Sequence, residues 1–569
     1  MTKWRPGYLV LAVMSLAALT GAAGAADVVQ YAYDAAHSGR AAEAPSFPLS
    51  LVWKFAQPPE ESTTAPVVAE NTVFWTAGPL VVAIDPDTGG AKWGVKATAP
   101  VFGSPVYHDG KVIVGTDAGT VMALNSADGK IVWQTDAGQA VHCPLTLDGG
   151  TVYCCTRDGK VMALDAATGA LRWSTKLADS IYAAPAVAGG MVYAVCLDKK
   201  LYGLSADRGQ VRFGYTIPSK VGSYLEPVVG GRYVYVTAER SIIAVGLKGV
   251  PGWSVQFNEE LPAGPSYADG VLYQPGPDGF IYAFDADSGK LRWKKPAGMY
   301  LSAGLTLAGK TLLTASDSAL VRAYDIATGE PLWEYNTWHP LEIKQNRQTA
   351  DFVAELPPVV ANGAVYIATA AGELMKLVPG GFDAAPPQAF ALKPEEGKPI
   401  AAKGPVKITA AVFDEGSGLD TSSLSVTVDG QPVKESSFQP LGSELEAQTE
   451  AQLADGWHTA EIRAKDAQGN ELVHSWKFLV DSSYTPPAPP AAATAQTATG
   501  AARSGLMGGG RGMMGGGRMA GGNRSTYGRG GNMYGGMQGG MYGRGGSMGG
   551  RYGSYGRGSG SSFGGRRRF

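Results

Sequence analysis

The sequence predicts an all-β chain: an eight-bladed β-propeller, then a small β-sandwich, then a disordered tail. Two observations carry this expectation. An aromatic residue recurs every forty positions through the first two thirds of the chain, and the composition breaks sharply near residue 482.

Counting from Trp53 in steps of forty gives Trp93, Trp133, Trp173, Phe213, Trp253, Trp293 and Trp333, eight aromatics without a break. Self-similarity at such a period marks a repeat architecture. Eight residues before most of them stands a polar turn-opener: Asp85, Asn125, Asp165, Ser205, Asp285 and Asp325. Glycine follows four residues later, at Gly89, Gly129, Gly169, Gly209, Gly289 and Gly329. A segment such as Asp165-Ala-Ala-Thr-Gly169 suits a tight turn, because an Asp side chain accepts from the amides ahead of it and Gly tolerates positive φ. The fifth repeat departs from the pattern, with Val245-Gly-Leu-Lys-Gly249 in place of the Asp turn.

Between the turns run short alternating segments such as Thr151-Val-Tyr-Cys-Cys155 and Lys160-Val-Met-Ala-Leu164, with no helical period. Each repeat therefore reads as one four-stranded sheet, opening near Pro66, Pro105, Pro144, Pro185, Pro227, Pro265, Leu305 and Pro358. The last repeat lacks its own aromatic strand, whereas Leu51-Val-Trp-Lys-Phe55 has no sheet of its own. Pairing the two closes the ring and hides sheet edges that would otherwise template aggregation. These readings place the propeller at 27–380.

A Pro-containing linker, 381–394, leads to a second module, 395–482, whose alternation in Val406-Lys-Ile-Thr-Ala410 and Ser425-Val-Thr-Val-Asp429 indicates antiparallel strands of a sandwich. From 483 to 569 the chain is rich in Gly, Met, Tyr and Arg; from Ser482 onward it carries eleven Arg and no Lys, Asp or Glu. Such a segment cannot bury enough apolar surface to offset ordering entropy and is expected to stay disordered. The formal charge of -2 conceals an acidic body beside this cationic tail. Residues 1–26 read as a cleaved signal peptide: Lys3 and Arg5, an apolar run from Tyr8 to Leu19, then Ala23-Gly24-Ala25. The run is too short for a membrane span, and the absence of Cys near the cleavage region speaks against a lipid anchor. The expected address is periplasmic or secreted to the cell surface.

The repeat, as in Val161-Met-Ala-Leu-Asp-Ala-Ala-Thr-Gly-Ala-Leu-Arg-Trp173, resembles the PQQ-type (pyrroloquinoline quinone-type) propeller repeat over roughly residues 45–380. Its compact blades are more similar to BamB-type scaffolds of outer-membrane β-barrel assembly than to quinoprotein dehydrogenases. Asp414-Glu-Gly-Ser-Gly-Leu-Asp420 and Asp466-Ala-Gln-Gly-Asn470 resemble loops of bacterial Ig-like extracellular domains. Their carboxylates suit Ca²⁺, but turn capping is the simpler reading, and no metal site is assigned.

The resemblance implies two functions. One is a non-catalytic scaffold without cofactor. The alternative is a PQQ-dependent oxidoreductase holding the quinone with calcium, suggested by Cys154-Cys155, which looks like the adjacent disulfide of quinoprotein alcohol dehydrogenases. The period places those cysteines within a strand, where neighbours point to opposite faces, and not in a loop over a cofactor. No catalytic residues are assigned. Cys143 stands roughly opposite Cys154 around Asp148-Gly149-Gly150, so a Cys143–Cys154 bridge and buried free thiols are the two readings. Six His, at 37, 108, 142, 339, 458 and 474, show no metal-ligand spacing.

The expected partner is a protein or an envelope polymer on the propeller face, with anionic surfaces for the tail; nucleic acid is not expected of an exported chain despite the Arg-Gly-Gly units at Arg529 and Arg544. The interval from Leu305 to Pro358 exceeds its predecessors, and the surplus between Asn336 and Glu355 carries Trp338, His339, Lys344, Arg347 and Phe352, the residue types of binding hot spots. Phe102, Tyr182 and Tyr224, each three residues before a blade-opening Pro, are expected on the same rim.

Overall fold

The computed structural model describes residues 11–12 and 27–485, apart from 57–62, 219–224, 298–300, 302, 317–319, 338–355, 371, 381–382, 384, 402–403, 434 and 440–443. The expected disordered tail, 483–569, apart from 483–485, and the signal peptide apart from 11–12, lie outside the described residues. Every regular element described is a strand, and among the described residues no helix is long and apolar enough to cross a membrane.

The forty-residue unit is a four-stranded antiparallel meander. In one such sheet the strands are Thr146–Asp148, Thr151–Cys155, Lys160–Asp165 and Leu171–Lys176, paired in chain order. The innermost strands open within two residues of the predicted positions, at Val67, Val106, Thr146, Ala186, Val228, Ser266, Thr306 and Val359. Middle strands are buried throughout, whereas the outermost alternate between exposed and packed residues, as expected for sheets stacked radially and wet at the periphery. Strand Leu49–Ala56 completes the sheet ending at Glu373–Pro379, with Leu51 facing Leu377 and Phe55 facing Leu374. The N-terminal strand thus closes the array, as the unpaired aromatic strand predicts.

The period has a structural cause. The indole N–H of five outer-strand tryptophans donates to a carbonyl thirty-three residues on: Trp53 to Pro86 (2.8 Å), Trp93 to Ser126 (2.8 Å), Trp133 to Ala166 (3.2 Å), Trp173 to Ala206 (2.8 Å) and Trp253 to Ala286 (3.0 Å). The ring lies flat against the turn glycine of the next sheet; a Cβ on Gly209 would stand 2.3 Å from Trp173 Cε3. Within the turn, Asp165 Oδ1 accepts from the Thr168 amide at 2.9 Å and from its hydroxyl at 2.8 Å, which is the predicted Asx geometry. Each tryptophan therefore latches one sheet to the next. Trp333 is held differently: it packs against Tyr335 and Phe47, and its indole N–H has no partner among the described residues. The sheet it meets takes its outer strand from the N-terminus, so the usual turn is missing there.

The second module has two sheets. One contains Gln388–Lys393, Pro405–Phe413, Glu444–Gln452 and Glu435–Gln439; the other contains Pro399–Ile400, Glu471–Val480, Gly456–Asp466, Leu419–Val428 and Gln431–Pro432. Alternate residues of both, including Val406, Ile408, Ile462, Trp476 and Phe478, share one core. Its first strand begins at Gln388, inside the stretch expected to be linker, because the backbone of Gln388–Phe390 pairs with Ala411–Phe413 while Leu392 packs on the module's core. The module abuts the propeller: Leu51 N–H donates to Gly416 O (3.0 Å), Tyr335 O–H to Glu415 O (3.1 Å) and Gln468 Nε2 to Ser50 Oγ (2.8 Å).

Candidate functional site

The face carrying the connections between sheets is built by a repeated backbone contact. Three successive connections run beside the loop between the second and third strands: Asp117 N–H donates to Pro100 O (2.9 Å), Arg157 N–H to Ala140 O (2.9 Å) and Leu197 N–H to Ser180 O (3.0 Å). Two residues beyond each of these carbonyls, at forty-residue spacing, stand Phe102, His142 and Tyr182, all half-buried. Phe102 stacks on His142 with centroids 4.1 Å apart, and Tyr182 meets the edge of His142 at 6.4 Å. The Arg157 guanidinium lies 5.5 Å above the Tyr182 ring and 3.9 Å from Asp117 Oδ1. Asp117 also accepts from His142 Nδ1 at 3.2 Å. Burial pushes the His142 imidazole below its usual range, with Asp117 opposing, so at neutral pH the ring is an uncharged donor to Asp117.

This is a rim of three rings with one carboxylate and one guanidinium. It offers flat apolar area and a charged pair for gripping an extended ligand, and no nucleophile activated by a base. Phe102 and Tyr182, each three residues before a blade-opening Pro, come together here, and His142, for which the sequence shows no metal-ligand spacing, lies between them. Its position midway between them, forty from each, is the signal that identifies it. Trp338, His339, Lys344, Arg347, Phe352 and Tyr224 lie outside the described residues.

The axis holds a feature that the sequence does not announce. Residues 28–41 wind through the ring and accept a hydrogen bond from the central amide of every innermost strand described. The donors Val68, Tyr107, Val187, Val229, Tyr267 and Leu307 reach the carbonyls of Val28 (2.9 Å), Val29 (2.8 Å), Ala35 (2.6 Å), Ala36 (2.8 Å), Ser38 (2.8 Å) and Gly39 (2.8 Å). Leu147 N–H reaches Gln30 Oε1 and Val360 N–H reaches the Tyr33 hydroxyl, both at 2.8 Å. Eight strands that would otherwise present unpaired inner edges are capped by one segment. Ala32, Tyr33 and His37 take positive φ of 53°, 72° and 57° to make the coil. His37 bridges across the axis, Nδ1 lying 3.2 Å from Pro227 O and Nε2 3.2 Å from Thr146 Oγ1. The cavity left beside the segment, about 80 Å³, is bordered by Tyr31, Tyr33, His37 and Glu226 and has room for a handful of waters.

The four cysteines are free and buried, so the Cys143–Cys154 bridge is corrected. Thr146 faces Tyr153 and Asp148 faces Thr151, a register that puts Cys143 with Cys155 and Cys196 in one cluster and Cys154 in the next. Cys143 Sγ lies 3.8 Å from Cys155 O. Cys154 and Cys155 occupy one strand and face opposite sheets, as predicted. Burial pushes the Cys196 thiol up to about 11 and holds Cys154 and Cys155 above the usual range, so these three supply no thiolate at neutral pH.

Comparison with known proteins follows the ring. The family described as outer membrane protein assembly factor BamB matches residues 50–146, 140–247 and 277–378, more than half of the chain. The chain belongs to this family. Among its relatives, the outer membrane protein assembly factor BamB of Bordetella pertussis is 32% identical over 135 residues, 23% of this chain and 31% of that protein. BamB of Shewanella oneidensis is 26% identical over 176 residues, 29% of this chain and 42% of that protein. The matched stretches thus span less than half the length of these family members. The crystal structure of quinohemoprotein alcohol dehydrogenase from Comamonas testosteroni superposes with a TM-score of 0.51 at 15% identity, covering 64% of this chain and 82% of that one. At that identity the likeness is one of fold.

Proposed function

We propose that this chain is a non-catalytic scaffold of the cell envelope, an eight-bladed propeller followed by an Ig-like module, that binds a protein partner of outer-membrane assembly through its rim. The single observation that carries the reading is the rim of Phe102, His142 and Tyr182 with Asp117 and Arg157, whose composition is that of a recognition surface. Family membership supports a protein partner, since the BamB relatives are named for outer-membrane protein assembly. On sequence grounds Trp338, His339, Lys344, Arg347, Phe352 and Tyr224 extend the surface, and the Arg-rich tail supplies attraction to anionic envelope components.

The quinoprotein reading draws support from the fold of the dehydrogenase neighbour. Against it stands the axis, where a planar quinone would compete with the chain's own residues 28–41, eight of which accept from the central amide of an inner strand. Crosslinking in the native envelope with mass spectrometry tests the proposal, comparing the natural chain with a Phe102→Ala, Tyr182→Ala double variant of matched melting temperature. Loss of a specific crosslinked protein supports it. Unchanged crosslinks, or a stoichiometric quinone absorbance after addition of PQQ and Ca²⁺, overturn it.

A further inference from the structure

Three carboxylates meet where the second module abuts the propeller. Asp383 precedes the module's first strand, Asp414 follows Pro405–Phe413 in one sheet, and Asp466 ends Gly456–Asp466 in the other. One oxygen from each lies within 4.8 Å of the others, and Asp414 and Asp466 are buried. Among the described residues no Lys, Arg or His forms an ion pair with any of them. Three formal negative charges so close, two of them buried and the Asp383 carboxylate half-buried, repel unless a cation or a proton joins them.

The loop 414–418 wraps this cluster. Ser417 N–H donates to Asp383 Oδ2 (2.7 Å) and Gly418 N–H to Asp414 Oδ2 (2.8 Å). A Cβ on Gly416 would stand 2.2 Å from Asp383 Oδ2, so the carboxylate presses directly on the loop backbone. Between these contacts sits Ser417, fully buried, whose hydroxyl has no hydrogen-bond partner among the described residues. A buried hydroxyl left without a partner forfeits the hydrogen bonds it makes to water in the unfolded chain. Turn capping accounts for the amide contacts, but neither for the orphaned hydroxyl nor for the convergence of three acids from three separate stretches of chain.

We propose that Asp383, Asp414 and Asp466, with the Ser417 hydroxyl, form a Ca²⁺ site that clamps the second module to the propeller. The chemistry is that of a hard cation: carboxylate and hydroxyl oxygens, supplied by loops that can adjust to the flexible coordination Ca²⁺ accepts. The clamp would act through neighbours already bonded to the propeller, since Glu415 O receives the Tyr335 hydroxyl, Gly416 O receives Leu51 N–H and Gln468 reaches Ser50. Binding would therefore fasten both sheets of the module and the preceding segment at one point.

The test uses the full chain stripped with chelator. Calorimetric titration with CaCl₂ is expected to show about one equivalent bound, with a dissociation constant between roughly 10⁻⁶ and 10⁻³ M. Tb³⁺ should show luminescence sensitised by the adjacent Tyr335 and be displaced by Ca²⁺. Asp466→Asn and Asp383→Asn should weaken binding by more than about tenfold, Ser417→Ala less, and Asp420→Asn, outside the cluster, not at all. The natural chain alone decides the matter if a variant misfolds: no heat and no Tb³⁺ signal up to about 10 mM, beyond the weakest extracellular calcium sites, overturns the site. Binding retained in folded Asp466→Asn overturns the ligand assignment, and Mg²⁺ binding as tightly as Ca²⁺ overturns the choice of cation.

Discussion

Gly209→Ala tests the latch that gives the chain its period. Gly209 has φ of +67°, and an added Cβ would lie 2.3 Å from Trp173 Cε3 and 2.7 Å from Thr175 Oγ1. Two costs combine. A left-handed conformation costs a residue with a Cβ about 1–2 kcal/mol. Displacing an indole that is 8% exposed and bonded to Ala206 O adds an overpacking cost of about 1–3 kcal/mol. The expected loss is thus about 2–5 kcal/mol. Gly189→Ala separates the two contributions, because Gly189 has φ of +57° but nothing within 4 Å of its added Cβ. That variant should lose only the conformational part, about 1–2 kcal/mol. Urea denaturation followed by tryptophan fluorescence measures both, read as midpoints at constant slope. Equal shifts for the two variants would refute the idea that the turn glycine exists to seat the neighbouring tryptophan.

Trp173→Ala should cost about 3–5 kcal/mol in the same assay, whereas Trp173→Phe, which keeps one aromatic ring but loses the pyrrole half of the indole and its bond to Ala206, should cost less than Trp173→Ala. Acidification should loosen the axis: burial pushes His37 down to about 4, against roughly 6.5 when unfolded, with Asp34 opposing. Its contribution is complete above pH 6.5 and is lost as pH falls towards 4, about 3 kcal/mol in all. His37→Gln should flatten that part of the stability profile, and a slope identical to the natural chain's would discount the histidine. A chain ending at Asp481 should lose salt-sensitive adhesion to a polyanion such as heparin, because the eleven Arg beyond it carry the attraction. Equal retention on the polyanion at low salt would remove that role from the tail.

The ring was legible because its packing contacts recur at fixed separations: every Trp that seats on a turn thirty-three to thirty-six residues later writes the same letters again. Closure by Leu49–Ala56 was legible for the complementary reason, one strand too many at one end and one too few at the other. The axial segment was not, since its acceptors are mostly backbone carbonyls and any side chain of suitable size would leave the same contacts. The rim was half legible. Phe102 and Tyr182 show as aromatics before a Pro, while His142 completes the series only when the period is applied without regard to residue type. Of the acidic cluster, Asp414 and Asp466 announce themselves as turn residues, but Asp383 sits in what reads as a linker, and only the fold brings it to the other two. The cysteine pairing failed on register, which a hairpin turn sets to within a residue and on which the facing side chain depends.

The segment along the axis also fixes how many repeats the protein can have. Tandem duplication or loss of a forty-residue unit is the simplest genetic event in such an array, and an open stack tolerates it because each unit touches only its neighbours. Here one stretch of fourteen residues supplies an acceptor to each of the eight inner strands described, in positions matched to their placement around the ring. An inserted unit would arrive with a buried amide and no acceptor; a deleted one would leave an acceptor stranded. Residues 28–41 are thus matched to the strands they cap, and a change in repeat number is expected to cost stability unless the short sequence that precedes the first repeat changes with it.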